Sequence, residues 1–387
     1  MTTSADSPDA ASTPGAATPT NDPTEDLARY RALIDNLDHR IVELLNERAR
    51  AAIAIGEVKK RHGLEVWSPG RETEVLNRVL ATNRGPLHEE TLRSIFRELM
   101  SGSRKLQQKT RVVCLGPEFS YSHLALLSKF GDGVEAVTVG TIPAVFEEVD
   151  KKRVEYGVVP LENSTDGRIA DTLDMFVKLP RIRIRSEVRL RIHHCLAARC
   201  RMDQVRQVYS RPQALSQCRH WLAKNLPNAA LIESLSTAAA AERARNEENA
   251  AAIASRPAAL AHGLILLAEN IEDQGHNVTR FAVLSDRPEE PTGDDKTTIM
   301  LKLGNRAGSL VRALEPFLLH HVNMTWIESF PDPTGSQSER DPAYLFFIDL
   351  DGHAREERLA RTLREVEVRC QQLEILGSYP RGKHVES

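Results

Sequence analysis

From about Thr24 to Arg61 nothing in the chain breaks a helix until the His62-Gly63 pair. Within that stretch Leu27, Tyr30, Ile34, Leu37, Ile41, Leu44, Arg48, Ala51, Ile55 and Val58 recur at alternating steps of three and four. That is the spacing of a packed helical seam. At 1.5 Å per residue the rod is roughly 55 Å long, more than one small domain covers, so the pattern predicts a partner chain along it. One member of the seam is an arginine. Lys59 follows Arg48 by about three turns and shares its face, whereas Arg31 points about 100° away and serves another surface of the rod. A second helix is expected over "SPGRETEVLNRVL", with Arg71 and Glu72 in its first turns. A third, "HEETLRSIFRELMSGSRKLQ", carries the stripe Leu92, Ile95, Phe96, Leu99 and Leu106, interrupted by Ser103, with Gln107 one turn on. A solvated bundle whose basic residues face water is the plain alternative. Donors converging inside an all-helical bundle, with few carboxylates among them, point instead to a pocket for a small polyanion.

The 387 residues suffice for two or three domains with proper cores, and a net charge of −3 gives no global field for nucleic acid or anionic membrane. No apolar run approaches the ~18 residues of a membrane span, so a soluble chain is expected. Five cysteines, odd in number and without a C-x-x-C pair, read as reduced thiols. Residues 1–23 are rich in Pro, Ser, Thr and Ala and lack Lys and Arg. They fit neither a secretory signal nor a transit peptide and are expected to form a disordered tail on a cytoplasmic protein.

From residue 111 the pattern changes to strand-then-helix repeats. "RVVCLG", "EYGVVP", "QVYS" and "AAIAS" each end in a polar loop that opens a helix. Open α/β sheets bind ligands at such strand ends, where helix N-termini offer N–H groups to anions. Ser120, Ser122, Asn163, Ser164, Thr165, Ser210 and Gln213 sit there. Singly each reads as a helix cap, and together they outline one cleft. At "HNVTRF", residues 276–281, Thr279 and Arg280 stand at the entrance of a buried apolar run. An unpaired buried cation costs several kcal/mol, so a ligand or partner must provide the missing charge. The run "RIRIRSEVRLRIHH" reads as strands with one basic, solvated face. His193 and His194, adjacent in a strand, point opposite ways and make a poor metal site. No G-x-G-x-x-G or Walker pattern occurs, so no cofactor is expected. After "DRPEEPTGDDK" the order becomes βαββαβ, a ferredoxin-like α+β unit.

The pattern "YRALIDNLDHRIVELLNERARAAIAIGEVKKRHG…RE…SGSRKLQ" resembles the all-helical chorismate mutases over residues 24–108. The resemblance implies a pericyclic rearrangement of chorismate to prephenate, with Lys59 and Gln107 on the breaking ether oxygen. Arg31, reaching from a partner subunit, and Arg48 would bind the two carboxylates, and Arg71, Glu72 and Ser103 complete the set. Ser68, standing where an aspartate is usual before the "RE" pair, is implied as a further chorismate contact. The motifs "LGPEFSYSHLA", "GVVPLENSTDGRIADTLDMF", "YSRPQALSQC", "ESLSTAAAA" and "NVTRFAVLS" resemble prephenate dehydratase over residues 110–287. This implies a two-lobed, periplasmic-binding-protein-like α/β domain that converts prephenate to phenylpyruvate. Thr279 would be the acid or hydrogen-bond donor, Arg280 a carboxylate ligand, and Ser120, Asn163, Ser164, Ser210 and Gln213 further prephenate contacts. Residues 296–380 are similar to ACT domains, which bind amino acids at subunit interfaces. "GSLV" at 308–311 and "ESFP" at 328–331 imply a phenylalanine site at Gly308, Leu310, Asn323 and Glu328, with Phe330 where an arginine is commoner. A homodimer or homotetramer without nucleic-acid or membrane partners is expected. The competing reading is a non-catalytic amino-acid sensor whose helical arm serves only to dimerise.

Overall fold

The computed structural model describes residues 22–165, 167–332, 344–382 and 384–386. Of the expected tail, residues 1–21 lie outside these. Helix α1 (Pro23–Arg61) begins where Asp22 accepts from the Thr24 N–H at 2.8 Å, with Glu25 and Asp26 in the first turn and Lys59, Lys60 and Arg61 in the last. Both ends thus complement the helix dipole. Helices α2 (Pro69–Thr82) and α3 (Glu89–Gln107) complete a helical arm. Helices α1 and α3 approach tightly at Gly56, where an added Cβ would stand 2.7 Å from Gln107 Cγ. Glycine is therefore required there, despite a helix-propensity cost of about 1 kcal/mol. Towards its N-terminus the seam of α1 is bare: Leu37 is 42% exposed and Leu44 is 62% exposed.

The next region has two lobes. Strand β1 (Arg111–Leu115), α4 (Tyr121–Phe130), β2 (Glu135–Val139), α5 (Ile142–Asp150), β3 (Tyr156–Asn163), β4 (Gly167–Arg168), α6 (Ala170–Lys178) and β5 (Arg183–Arg191) build the first. The second contains β6 (Cys195–Ala198), β7 (Gln207–Ser210), α7 (Pro212–Gln217), α8 (Arg219–Asn225), β8 (Ala230–Glu233), α9 (Thr237–Asn246), β9 (Ala250–Ala254), α10 (Arg256–Ala261) and β10 (Ile265–Ala268), its sheet running β10-β6-β9-β7-β8. The chain then returns to β11 (Val278–Ser285), which inserts antiparallel between β5 and β3 of the first lobe. The two crossings run side by side, since Ile192 N–H donates to Asn277 O and Ile271 N–H to His194 O, both at 2.9 Å.

Strands β12 (Asp295–Leu303), β13 (Met324–Pro331), β14 (Tyr344–Asp351) and β15 (Gln372–Pro380), with α11 (Ser309–Leu319) and α12 (Glu357–Glu367), follow in the order β-α-β-β-α-β. Their antiparallel sheet runs β13-β14-β12-β15. This unit is fused to the first lobe: Met300, Leu345, Phe347, Leu376 and Tyr379 share a core with Phe146, Phe176 and Leu284. At Gly377 a Cβ would fall 2.0 Å from the Ile184 carbonyl oxygen, so no other residue permits this approach. A last strand, β16 (His384–Glu386), pairs with β5.

The packing corrects the expectation of a solvated basic face on β5. Arg185 and Glu187 are buried, because β15 packs over the strand while β11 and β16 flank it. Arg185 pairs with Glu65 and, at 2.7 Å, with Glu289. Arg183 donates to the Ile375 carbonyl.

Candidate active sites

Between the lobes lies a cleft of about 540 Å³. Helices α4 and α5 from the first lobe and α7 and α9 from the second bring their N-terminal residues to it, Tyr121, Ser122, Thr141, Gln213, Ser236 and Thr237 among them. Partial positive charge is thus directed inward from both sides. Among the described residues the lining includes the guanidinium-bearing Arg168 and Arg211 and one carboxylate residue, Asp171. Of the residues expected to contact prephenate, Asn163, Gln213 and Thr279 line this space.

Thr279 sits within a chain of amides. Asn163 Oδ1 accepts from the Thr165 N–H at 2.9 Å, which fixes the amide plane. Asn163 Nδ2 then donates to Thr279 Oγ1 at 2.7 Å and to Asn277 Oδ1 at 2.9 Å. Asn277 Nδ2 donates to Gln217 Oε1 at 3.1 Å, and that oxygen is 2.9 Å from His194 Nε2. Because the threonine oxygen already accepts a bond, its one proton is free to be donated into the cleft. Tyr121 donates to the His193 carbonyl at 2.7 Å and stands 3.1 Å from His194 Nδ1. Burial holds His194 below the ordinary histidine pKa, which keeps the ring neutral at pH 7. Reading the sequence missed His194, Gln217 and Tyr121 as site residues. His194 and Asn277 lie on the two lobe crossings, which strand-end patterns do not mark.

Other expected contacts lie off the cleft lining. Ser120 caps α4 and donates to Leu115 O at 3.0 Å. Ser164 donates to His276 O at 3.3 Å and accepts from the Val278 N–H at 3.0 Å, so it orders the return crossing. Ser210 is buried and donates to Ile253 O at 2.8 Å. Arg280 is the main correction. Adjacent residues of a strand face opposite sides, so with Thr279 towards the cleft, Arg280 points to the C-terminal unit. There it meets Asp349 at 2.5 Å, Glu187 at 3.1 Å and Glu162 at 3.5 Å, and lies 5.2 Å from the Trp326 ring centroid. Lys296 adds a second cation, 3.2 Å from Glu187 and 3.4 Å from Asp349. Burial opposes the charge on Arg280, yet Tyr379, Asp349 and Glu187 outweigh it and raise its pKa. The missing charge is provided by the protein itself.

In the helical arm, Arg48 donates to Ser103 Oγ at 2.7 Å and to Leu99 O at 3.4 Å, tying α1 to α3. Lys59 donates to Val66 O at 2.8 Å, and burial lowers its pKa against the opposing field of Glu65. Gln107 keeps its Oε1 buried and without a hydrogen-bond partner among the described residues. Glu72 is turned to Trp67 Nε1 at 3.1 Å and to the buried Arg104. Ser68 caps α2 and donates to Glu289 at 3.1 Å, while Arg71 pairs with Glu74 on the surface. Arg31 is exposed and is not joined to Arg48 or Lys59 by any described bond. In the C-terminal unit Gly308 caps α11 in the left-handed region at φ 78° and Leu310 lies in its first turn. Asn323 Nδ2 donates to Asp351 at 3.0 Å, and Glu328 lies on β13, 3.4 Å from Arg168. Among the described residues no group of His, Cys, Asp or Glu could hold a metal, and no helix is long and apolar enough to cross a membrane.

A helical arm and a two-lobed cleft, each carrying polar side chains fixed by hydrogen bonds, define a protein with two separate candidate sites. The chain matches the family chorismate mutase type II over residues 30–108 and prephenate dehydratase over residues 112–289. It is 42% identical over 363 residues to a bifunctional chorismate mutase/prephenate dehydratase of Aquifex aeolicus, covering 92% of this chain and 99% of that protein. A solved structure of prephenate dehydratase in complex with L-Phe from Arthrobacter aurescens is 31% identical, with TM-score 0.64 over 70% of this chain and 90% of that one. A protein described as a novel type of quorum-quenching acylase is 30% identical, with TM-score 0.63 over 70% of this chain and 98% of that one. The chain belongs to the bifunctional chorismate mutase/prephenate dehydratase family.

Proposed function

We propose that the helical arm rearranges chorismate to prephenate and that the cleft converts prephenate to phenylpyruvate, water and carbon dioxide, the pair of steps that leads to phenylalanine. In the arm no covalent intermediate is needed. Arg48 and Ser103 hold a carboxylate of the folded conformer, and Lys59 and Gln107 stabilise charge on the breaking ether oxygen. Gln107 can meet an anionic oxygen through its amide nitrogen. A second copy of this chain covers the bare seam of α1 and brings its Arg31 to the site, which one chain leaves open. Ser68, Arg71 and Glu72 lie at the same end of the arm and order the start of α2.

In the cleft one observation carries the reading: Thr279 lines the space between the lobes while its oxygen accepts from Asn163 Nδ2 at 2.7 Å, which leaves its hydroxyl able to donate its proton to a substrate. That proton goes to the ring hydroxyl as it leaves as water, while the electrons of the breaking carbon–carboxylate bond close the aromatic ring and carbon dioxide departs. The proton is then replaced from solvent. Gln213 and the helix N-termini orient the substrate. Since the acylase relative shares the fold, fold alone does not set the chemistry. The full-length likeness and the Arg48–Lys59–Ser103–Gln107 set favour catalysis over a non-catalytic sensor, which has no use for such a set on a dimerisation helix.

The C-terminal unit is read as an ACT domain with phenylalanine as effector at Gly308, Leu310, Asn323 and Glu328. The L-Phe complex of the Arthrobacter aurescens relative supports phenylalanine as the effector, while the domain and its four residues rest on the resemblance of the two motifs. The assembly is a homodimer or homotetramer working in the cytoplasm. The test is direct: purified protein given chorismate should discharge its near-ultraviolet absorbance and yield phenylpyruvate, seen in alkali. No spectral change would favour the sensor.

A further inference from the structure

Arg168 belongs to two places at once. It lines the dehydratase cleft from β4, next to Asn163 in the β3–β4 hairpin, where Gly167 pairs with Asn163. Yet its guanidinium reaches out of the α/β region to β13. There Nη1 donates to Ser329 O at 2.9 Å and stands 3.4 Å from Glu328 Oε2, with the Phe330 ring centroid 5.6 Å from Cζ. Its side chain is 39% exposed, so packing does not lock it in this pose. A half-exposed pair at this distance is weak, and a carboxylate able to take both guanidinium nitrogens competes with it effectively.

The cleft is suited to such a cation. A dicarboxylate gains from a full counter-charge beyond the partial charge of the helix N-termini, and Arg280 faces the opposite side of the sheet. Among the residues lining the cleft, the guanidinium groups are Arg168 on the first lobe and Arg211 on the second. One cation per lobe means that a bound dianion also draws the lobes together.

We propose that Arg168 is the first-lobe carboxylate ligand of prephenate and that Glu328 competes with the substrate for it. The pair then links substrate affinity to the position of β13, and a ligand seated against β13 acts on the cleft through it. The inference rests on the dehydratase reading above. It is tested on the full chain by steady-state kinetics with supplied prephenate for wild type, Arg168→Gln, Glu328→Gln and the double variant. Arg168→Gln should raise KM about tenfold or more, the loss of one charge-assisted bond, with kcat within a few-fold. Glu328→Gln should lower KM about threefold by freeing Arg168, and this gain should vanish when Arg168 is already Gln. Chorismate consumption by Arg168→Gln, at a site this residue does not touch, reports that the variant is folded. A normal KM for Arg168→Gln, or an equal Glu328→Gln effect in both backgrounds, overturns the proposal. A wild type that makes no phenylpyruvate from prephenate overturns the dehydratase reading itself.

Discussion

The helical arm and the α/β cleft both present donors to small dianions, but they are completed in different ways. In the arm the donors Arg48, Lys59 and Gln107 sit on two helices whose outer seam is bare, with Leu44 62% exposed. In the cleft the donors are set by amide-to-amide bonds running from Asn163 through Asn277 and Gln217 to His194, all within one chain. Under the proposed reading the first site depends on association and the second on folding. A bundle of three helices has too little interior to bury a long amphipathic rod, whereas two sheets with helices on their faces close their own cores.

The largest expected effect tests the cleft. Thr279→Ala should slow phenylpyruvate formation by about 10²–10⁴-fold, the range for a lost proton donor, while chorismate is still consumed. An unchanged rate from supplied prephenate would remove Thr279 from the mechanism. Arg280→Met separates structure from binding. Removing one cation of a buried ion cluster leaves Glu187 and Asp349 with Lys296 as their remaining close cation and should cost about 3–5 kcal/mol in denaturant unfolding. Weaker prephenate binding at unchanged stability would instead restore Arg280 as a ligand.

Lys59→Ala should lower mutase turnover by about 10²–10³-fold, the usual loss of one transition-state donor, and spare dehydration of prephenate. Equal loss of both activities would argue against separate sites. The pH profile sharpens the same point. Burial lowers the Lys59 pKa, so the protonated donor, and mutase activity with it, should be lost as pH rises below the range of an ordinary lysine. Glu65→Gln should move that limb further down, because Glu65 opposes the shift. The smallest effect is expected from Leu44→Asp on the bare seam. Mutase activity should become concentration-dependent, falling about tenfold on dilution, with dehydratase activity intact. Loss of both at equal rates, followed beside the mass of the assembly, would break the contrast between an associating site and a self-contained one.

Much of this was legible in the sequence. The 3–4 spacing of α1 marks its apolar face, and the cations within it stand out as exceptions to that face, because a helix repeats its face at a fixed interval. The polar strand ends of β3 and β7 mark the cleft for the same local reason. Tyr121, Gln217 and His194 were not legible, since a hydrogen bond between residues far apart in the chain leaves no local pattern. The placement of Arg280 beside Thr279 in the cleft was a misreading that strand alternation alone could have prevented.

By itself, the sequence determined which segments are helix or strand, which faces are apolar, and where polar loops open helices, since each follows from backbone periodicity and capping. Only the tertiary structure decided where the charges, buried or half-exposed, find partners. Arg280 meets Asp349, Arg185 meets Glu65 and Arg168 meets Glu328, each pair spanning separate regions of the chain. A buried cation can be recognised locally as needing an anion, but burial lets any carboxylate brought near by packing satisfy it, and the fold alone selects which one.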